Sequence, residues 1–350
     1  MEGLFMCTTF TLQNNVSILL GQNYDFYYGH GLIVVSKRDL LKDSLKEEGK
    51  EGVTWRSKYG SVTFTQFGRE LPMSGLNEKG LAVAMMYHED GQYPEEDNRP
   101  ALNELQWIQY QLDRYASVEE VVNHLDDIRL EKSMYELHYM VSDASGHTVI
   151  IEFVAGKLQV IKDAQYFTVT NTSFDKSLQH ANQFKETSVS KLSKRVNSLD
   201  RFTLAYRIVQ NKSLRYASSQ IPIEEAFAVL GEVSVKPSLG SIWRWVGNKI
   251  PPTFTYWSIV FDMKNLTIHY RDYRNKAIRS IELKNFNFSK VDPVLSLQLD
   301  NQLRGGIESD FKPYTAQDNE RIIRLSYKPI TDIFPIEDQL ELAKYPDTFK

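Results

Sequence analysis

The sequence predicts an α+β fold in which antiparallel sheets carry helices on their outer faces. Three observations point to it. Elements read along the chain in the order strands, helices, strands, helices, strands. No strand–helix–strand period is sustained, as a parallel doubly wound sheet would require. Short polar turns, Asn14-Asn15 and Ala144-Ser145-Gly146, join neighbouring strand patterns into hairpins. The chain has 350 residues, 42% hydrophobic and 25% charged, enough for one large core or two modest ones.

The elements follow in order. Thr8, Phe10 and Leu12, then Val16, Ile18 and Leu20, alternate at period two on either side of Asn14-Asn15. Gly21-Gln22-Asn23-Tyr24-Asp25 comes directly after, and Leu32 to Val35 is a further apolar run. Residues 39–52 are charged and read as an exposed loop or frayed helix. Val62 to Phe67 alternates again, and Gly75-Leu-Asn-Glu-Lys-Gly80 turns into the strand Leu81–Met86. One helix is expected from Pro100 to Tyr115. A second starts at Ser117, with Glu120 three residues on as a capping box and Val118, Val121, Val122 and Leu125 as its apolar stripe. Strands return at His138–Asp143, Thr148–Phe153, Lys157–Ile161 and Tyr166–Thr170. A polar loop over 183–195 leads to helices at Leu199–Gln210 and, behind Pro222, Ile223–Leu230. Thr255–Met263, Leu266–Tyr270 and Ile278–Leu283 are the last strands. Residues 290–350 read as an irregular C-terminal segment of the same domain.

The bulk properties exclude several classes. A net charge of −4 without a basic stripe gives no nucleic-acid footprint. No apolar run is long enough to span a membrane, and the first residues have neither a positive n-region nor an apolar h-region. A single cysteine excludes an internal disulfide and suits a reducing compartment, so a cytoplasmic location is expected. The seven histidines form no HxxxH or HxH pair and no second cysteine exists, so neither a zinc site nor any other metal site is expected. GxxxxGK[ST], GxGxxG and GxSxG are all absent, and no cofactor is expected.

What remains is Cys7. A lone cysteine in an intracellular chain is more often a small buried hydrophobe than a nucleophile. If the chain starts at Cys7, by trimming of an initiating Met6 or by loss of residues 1–6, one residue carries both a thiol and a free α-amine. These titrate close together, near about 8.5 and about 7.8, so the amine can take the thiol proton. The hairpin brings Asp25 back past the start of the first strand, where its carboxylate can orient that amine. Asn171, just past an apolar strand, offers a neutral amide donor of the kind an oxyanion hole uses. Arg201 lies at a helix start, where the dipole disfavours a cation, which argues for an inward, anion-facing role.

In this order, these residues resemble the choloylglycine hydrolase and penicillin V acylase family of N-terminal nucleophile amidases. The similarity runs from about residue 7 to 285. Its pieces are Cys7-Thr-Thr-Phe, Gly21-Gln-Asn-Tyr-Asp-Phe26, Gly75-Leu-Asn-Glu-Lys-Gly-Leu-Ala82, His138 to Gly146, Thr170 to Asp175, Asp200-Arg-Phe202 and Ser258 to Asn265. The resemblance implies a four-layer αββα sandwich of two antiparallel sheets flanked by helices. It implies a leader of residues 1–6 before a single catalytic domain over 7–350. The chemistry it implies is hydrolysis of a linear C–N amide through an acyl-thioester on Cys7. Asp25 would hold the α-amine, Asn171 and the backbone N–H of Tyr87 would bind the oxyanion, and Arg201 would place positive charge near the thiolate. Tyr at 87 matches the penicillin acylase-like members, whereas bile-salt hydrolases carry Asn there. Relatives commonly form tetramers, so a homotetramer is the implied assembly.

One position departs from the pattern. The family usually has Arg where this chain has Gln22, and loss of that cation is expected to raise the thiol pKa and alter substrate preference. The expected partner is a small N-acyl amide with an apolar or aromatic acyl group, met by Gln22, Met86 and Tyr24 among the nearby Phe26, Tyr27, Tyr28, Met85 and Tyr87. A catalytically silent binding protein and an acyltransferase of the same fold are the alternatives. Specificity would rest on the irregular stretches 39–60, 88–99 and 183–197.

Overall fold

The computed structural model describes residues 6–27, 29–45, 52–236, 253–328, 331 and 333–350. The predicted N-terminal hairpin forms. β1 (Thr8–Gln13) and β2 (Ile18–Phe26) pair antiparallel from Thr8 opposite Asn23 to Gln13 opposite Ile18, and Asn14 N–H closes the turn on the Ser17 carbonyl at 2.9 Å. β3 (Leu32–Ser36) follows, then a ribbon of β4 (Leu41–Asp43) and β5 (Thr54–Arg56), then a meander of β6 (Ser61–Thr65), β7 (Pro72–Asn77) and β8 (Ala82–Tyr87). β9 (Ala101–Asn103) precedes α1 (Gln106–Arg114) and α2 (Val118–Asn123), and β10 (Arg129–Glu131) pairs with it in parallel. β11 (Leu137–Ser142), β12 (Thr148–Val154) and β13 (Lys157–Ile161) form a second meander. β14 (Thr168–Val169) leads into α3 (Phe174–Asn182), α4 (Ser198–Arg215) and α5 (Ile223–Glu232). β15 (Phe254–Asp262), β16 (Thr267–Asp272) and β17 (Arg279–Glu282) come next. The chain ends with β18 (Leu295–Gln298), β19 (Gly305–Gly306), β20 (Lys312–Pro313), α6 (Ala316–Tyr327) and α7 (Ile336–Lys344).

Two sheets stack. The first has seven strands in the order β14-β1-β2-β15-β16-β17-β19, the second nine in the order β13-β12-β11-β8-β7-β6-β3-β18-β20. Both are antiparallel save for the terminal β17–β19 pair. α4 and α5 pack on the outer face of the first sheet, against β1, β2 and β15, and α1 packs on the second sheet against β7 and β8. This is the four-layer αββα sandwich. Alternation along β1 divides the layers: Phe10 and Leu12 face the helices with Val209, Phe227 and Leu230, while Thr9 reaches across to Met86 on β8. Gly21 is required here, because a Cβ at that position would lie 2.6 Å from the Phe10 ring. Among the described residues, no helix is long and apolar enough to cross a membrane.

Three sequence expectations change. The helix expected from Pro100 begins only at Gln106, because the Asn103 side chain accepts from the N–H groups of Leu105 and Gln106 and so caps a later start. The stretch expected to be exposed at 39–52 contains strand β4, in which Lys42 is fully buried. It pairs with Glu70 at 2.6 Å and Asp113 at 2.9 Å, both distant in sequence (residues 46–51 lie outside the described set). The segment expected to be irregular at 290–350 is structured. β18 extends the second sheet beside β3, and Ile322 of α6 packs on Leu32 and Val34 of that strand.

Candidate active site

The site gathers at the start of β1. Continuing the β1–β2 register beyond Thr8 and Asn23 sets Cys7 across from Tyr24 and Met6 across from Asp25. The thiol faces the second sheet, with its sulfur 4.0 Å from the Asp25 carbonyl oxygen. With Met6 attached, Cys7 is fully buried. Desolvation pushes the thiol up to about 12, the Asp25 charge adds to the rise, and Arg201 with backbone hydrogen bonding at Asp25 and Tyr87 offsets part of it.

Asp25 is equally buried. Its Oδ1 accepts from the Thr255 hydroxyl at 2.5 Å, whereas Oδ2 has no hydrogen-bond partner among the described residues. Burial raises this carboxyl to about 7, against the lowering influence of Arg201 and Thr255. A buried carboxylate oxygen without a donor costs free energy, and a cationic donor arriving at that point would remove the penalty.

Arg201 sits in the first turn of α4 and points inward, only 3% exposed. Its Nη1 donates to the carbonyls of Met6 at 2.9 Å and Cys7 at 2.7 Å and to the Thr8 hydroxyl at 2.7 Å. Its Nη2 donates to Asn171 Oδ1 at 2.5 Å. That last bond fixes the Asn171 amide, since its oxygen must face the guanidinium and its nitrogen must face away. Asn171 Nδ2 spends one N–H on the Tyr87 carbonyl at 3.0 Å, leaving a second donor. Glu89 N–H returns to the Asn171 carbonyl at 2.7 Å, so this loop and the end of β8 hold each other.

Gln22 and Tyr24 face the space between the sheets. Gln22 donates to the Met85 carbonyl at 3.0 Å, and Tyr24 stacks on Trp257 with ring centroids 4.2 Å apart. Met86 is fully buried beneath Thr9. Its neighbour Met85 instead lines, with Phe67, Tyr87, Met134 and Tyr135, a cavity of about 20 Å³, room for about one water. Tyr28 lies outside the described residues.

Sequence reasoning missed four contributors. Ser198 Oγ accepts from the N–H groups of Asn171 at 3.0 Å and Thr172 at 2.9 Å and so anchors the loop. The cap sequence Asn197-Ser198 ahead of Arg201 was the available signal. Glu104 accepts from the N–H groups of Ser133, Met134 and Tyr135, shaping one cavity wall. Thr255 holds Asp25. His88, the residue after Tyr87, stacks on His138 at 4.4 Å with both rings buried. These contacts span distant segments and leave no local motif.

Comparison with known proteins identifies the family and the fold. The family model "Linear amide C-N hydrolases, choloylglycine hydrolase family" matches residues 7–296. The chain is similar to the penicillin V acylase of Pectobacterium atrosepticum, 28% identical over 286 residues, covering 71% of this chain and 74% of that protein. It is also similar to the bile salt hydrolase/transferase of Clostridium perfringens, 28% identical over 195 residues, covering 51% of this chain and 57% of that protein. Among solved structures, penicillin V acylase from Agrobacterium tumefaciens shares the fold at a TM-score of 0.74 and 24% identity, covering 88% of this chain and 98% of that chain. A mutant of the conjugated bile acid hydrolase from Clostridium perfringens does so at 0.70 and 18%, covering 86% and 98%. The match over most of its length places this chain in the choloylglycine hydrolase family of linear amide C–N hydrolases.

Proposed function

We propose that this enzyme hydrolyses an N-acyl amide through an acyl-thioester on Cys7, once the Met6–Cys7 bond has been broken. The observation that carries the reading is the unpartnered Oδ2 of buried Asp25, a residue that the β1–β2 register sets across from Met6, next to Cys7. An α-ammonium on Cys7 supplies the missing donor. It also brings a positive charge next to the thiol and so lowers its pKa from the value of about 12 that burial imposes in the uncleaved chain. The uncleaved chain is inert by the same reasoning, because its thiol is buried and protonated and its Cys7 nitrogen is an amide.

In the proposed cycle the neutral α-amine takes the thiol proton, giving the thiolate and the ammonium that faces Asp25, and sulfur attacks the amide carbonyl. The carbonyl oxygen takes up the negative charge and is met by the free N–H of Asn171 Nδ2 and the backbone N–H of Tyr87. Arg201 acts through Asn171 and the Cys7 carbonyl, holding both in place. Collapse of the intermediate sends the amine's proton to the leaving nitrogen. Water, activated by the same amine, then releases the acid and restores the thiol. The acyl group would be hydrophobic or aromatic, as in penicillin V and similar N-acyl amides; the apolar cavity beside Tyr87 holds about one water and would have to widen to take it.

Purified enzyme is assayed with penicillin V, glycine- and taurine-conjugated bile salts and N-acyl homoserine lactones, with intact mass recorded on the same sample. The reading expects release of the amine from at least one substrate by a chain beginning at Cys7, and none by Cys7→Ala. Turnover retained in Cys7→Ala would overturn it.

A further inference from the structure

We propose that His88, His138 and Glu152 form a buried site for a divalent transition metal of the zinc class, fastening the end of β8 to the loop that carries Asn171. The three residues come from the end of β8, from β11 and from β12, and each is at most 1% exposed. Their ligand atoms lie within 4.8 Å of one another.

The hydrogen bonding fits a cation better than it fits the bare side chains. His138 Nε2 is 2.8 Å from the Thr170 carbonyl oxygen, which can only accept, so Nε2 carries a proton. In neutral His138 the Nδ1 lone pair then faces Glu152 Oε2 at 3.4 Å, an acceptor against an acceptor. Both carboxyl oxygens of Glu152 accept from the Phe174 N–H at the start of α3. A metal between the two removes the conflict. Zinc bonds of about 2.0–2.1 Å put neighbouring tetrahedral ligands about 3.3 Å apart, close to the observed His138–Glu152 separation of 3.4 Å. A metal-bound histidine characteristically donates its other ring N–H to a carbonyl or carboxylate, the bond His138 already makes to Thr170.

His88 is the second, independent sign. Neither of its ring nitrogens has a hydrogen-bond partner among the described residues, although the side chain is almost fully buried. A turn of this side chain toward Nδ1 of His138 supplies the third ligand and satisfies an otherwise costly nitrogen. The set of two imidazoles and one carboxylate suits zinc-class ions rather than calcium or magnesium. Because the ligands come from three separate segments, two strands and the residue after β8, the sequence carries no spaced motif for them, and its lack of HxxxH is no guide here.

The test is metal content. Wild type and His88→Phe are expressed with and without added zinc, and bound metal is measured by mass spectrometry. Thermal unfolding of chelator-treated protein is then followed as Zn²⁺ or Co²⁺ is added. Wild type is expected to carry roughly one zinc per chain and to gain thermal stability on Zn²⁺ addition. Co²⁺ gives the intense visible bands of a low-symmetry nitrogen–oxygen site. All three signals disappear in His88→Phe, which keeps a ring at this position but has no ligand atom. Wild type that holds no more metal than His88→Phe and shows no shift with either ion overturns the proposal. If the His88→Phe chain does not fold, wild-type stoichiometry and the Co²⁺ spectrum decide the question by themselves. Neither readout depends on Cys7 chemistry.

Discussion

Asp25→Asn has opposite consequences in the chain that carries Met6 and in the chain that begins at Cys7. With Met6 attached, burial raises the Asp25 carboxyl from 3.8 to about 7. Between those values the folded state binds more protons than the unfolded state, so the group's contribution to stability falls as pH rises through that window. A tenfold change in proton affinity is worth about 1.4 kcal/mol. From about pH 5 to about pH 8, wild type is therefore expected to lose about 2–3 kcal/mol relative to Asp25→Asn. Urea unfolding at the two pH values measures this, on protein whose intact mass includes residues 1–6. Taking the difference between the two proteins cancels other titrating groups, His88 among them. In the chain that begins at Cys7 the ammonium is expected to fill the vacant side of Asp25 and lower its pKa. Its contribution is then present above the ordinary carboxylate range and lost as pH falls through the lowered value, so Asp25→Asn costs stability at neutral pH. Curves that stay parallel in the Met6-bearing form refute the burial argument. A variant that stabilises the Cys7-initiated form at neutral pH refutes docking of the amine on Asp25.

Other substitutions probe the rest of the site. Asn171→Ala is expected to lower kcat by about 10²–10³, read in steady-state kinetics on the best N-acyl amide, with KM changed far less. Ser198→Ala removes the anchor of the Asn171 and Thr172 N–H groups and is expected to lower kcat by about tenfold while far-ultraviolet circular dichroism stays unchanged. Arg201→Ala leaves Asp25 without its neighbouring cation and two backbone carbonyls without a donor, at a cost of about 3–5 kcal/mol in chemical unfolding. Cys7→Ala keeps the fold, with unfolding free energy within about 1–2 kcal/mol of wild type, and abolishes turnover.

The sequence was most legible where one segment carries its own pattern. Alternation in β1 and β2 with a polar turn between them forecast both the hairpin and the return of Asp25 past Cys7. The unfavourable position of Arg201 in a first helical turn forecast its inward direction. Legibility failed where the partner lies far along the chain. Lys42 reads as an exposed charge until Glu70 and Asp113 are seen to neutralise it. β18 is too short to announce itself without β3 beside it. Met86 and Met85 are adjacent, and only the register of β8 decides which faces Thr9 and which lines the cavity. Gln22 reads as a neighbour of the thiol, and what the sequence does not give is the bond of its amide to the Met85 carbonyl on the opposite sheet.

The account stands on sulfur and terminal nitrogen sharing one residue. Peptide mapping of enzyme quenched during turnover of a slow N-acyl amide tests this most directly. The predicted result is an acyl group, as a thioester, on a peptide whose first residue is Cys7. Acylation of another residue, or of Cys7 in a chain that still carries Met6, contradicts it.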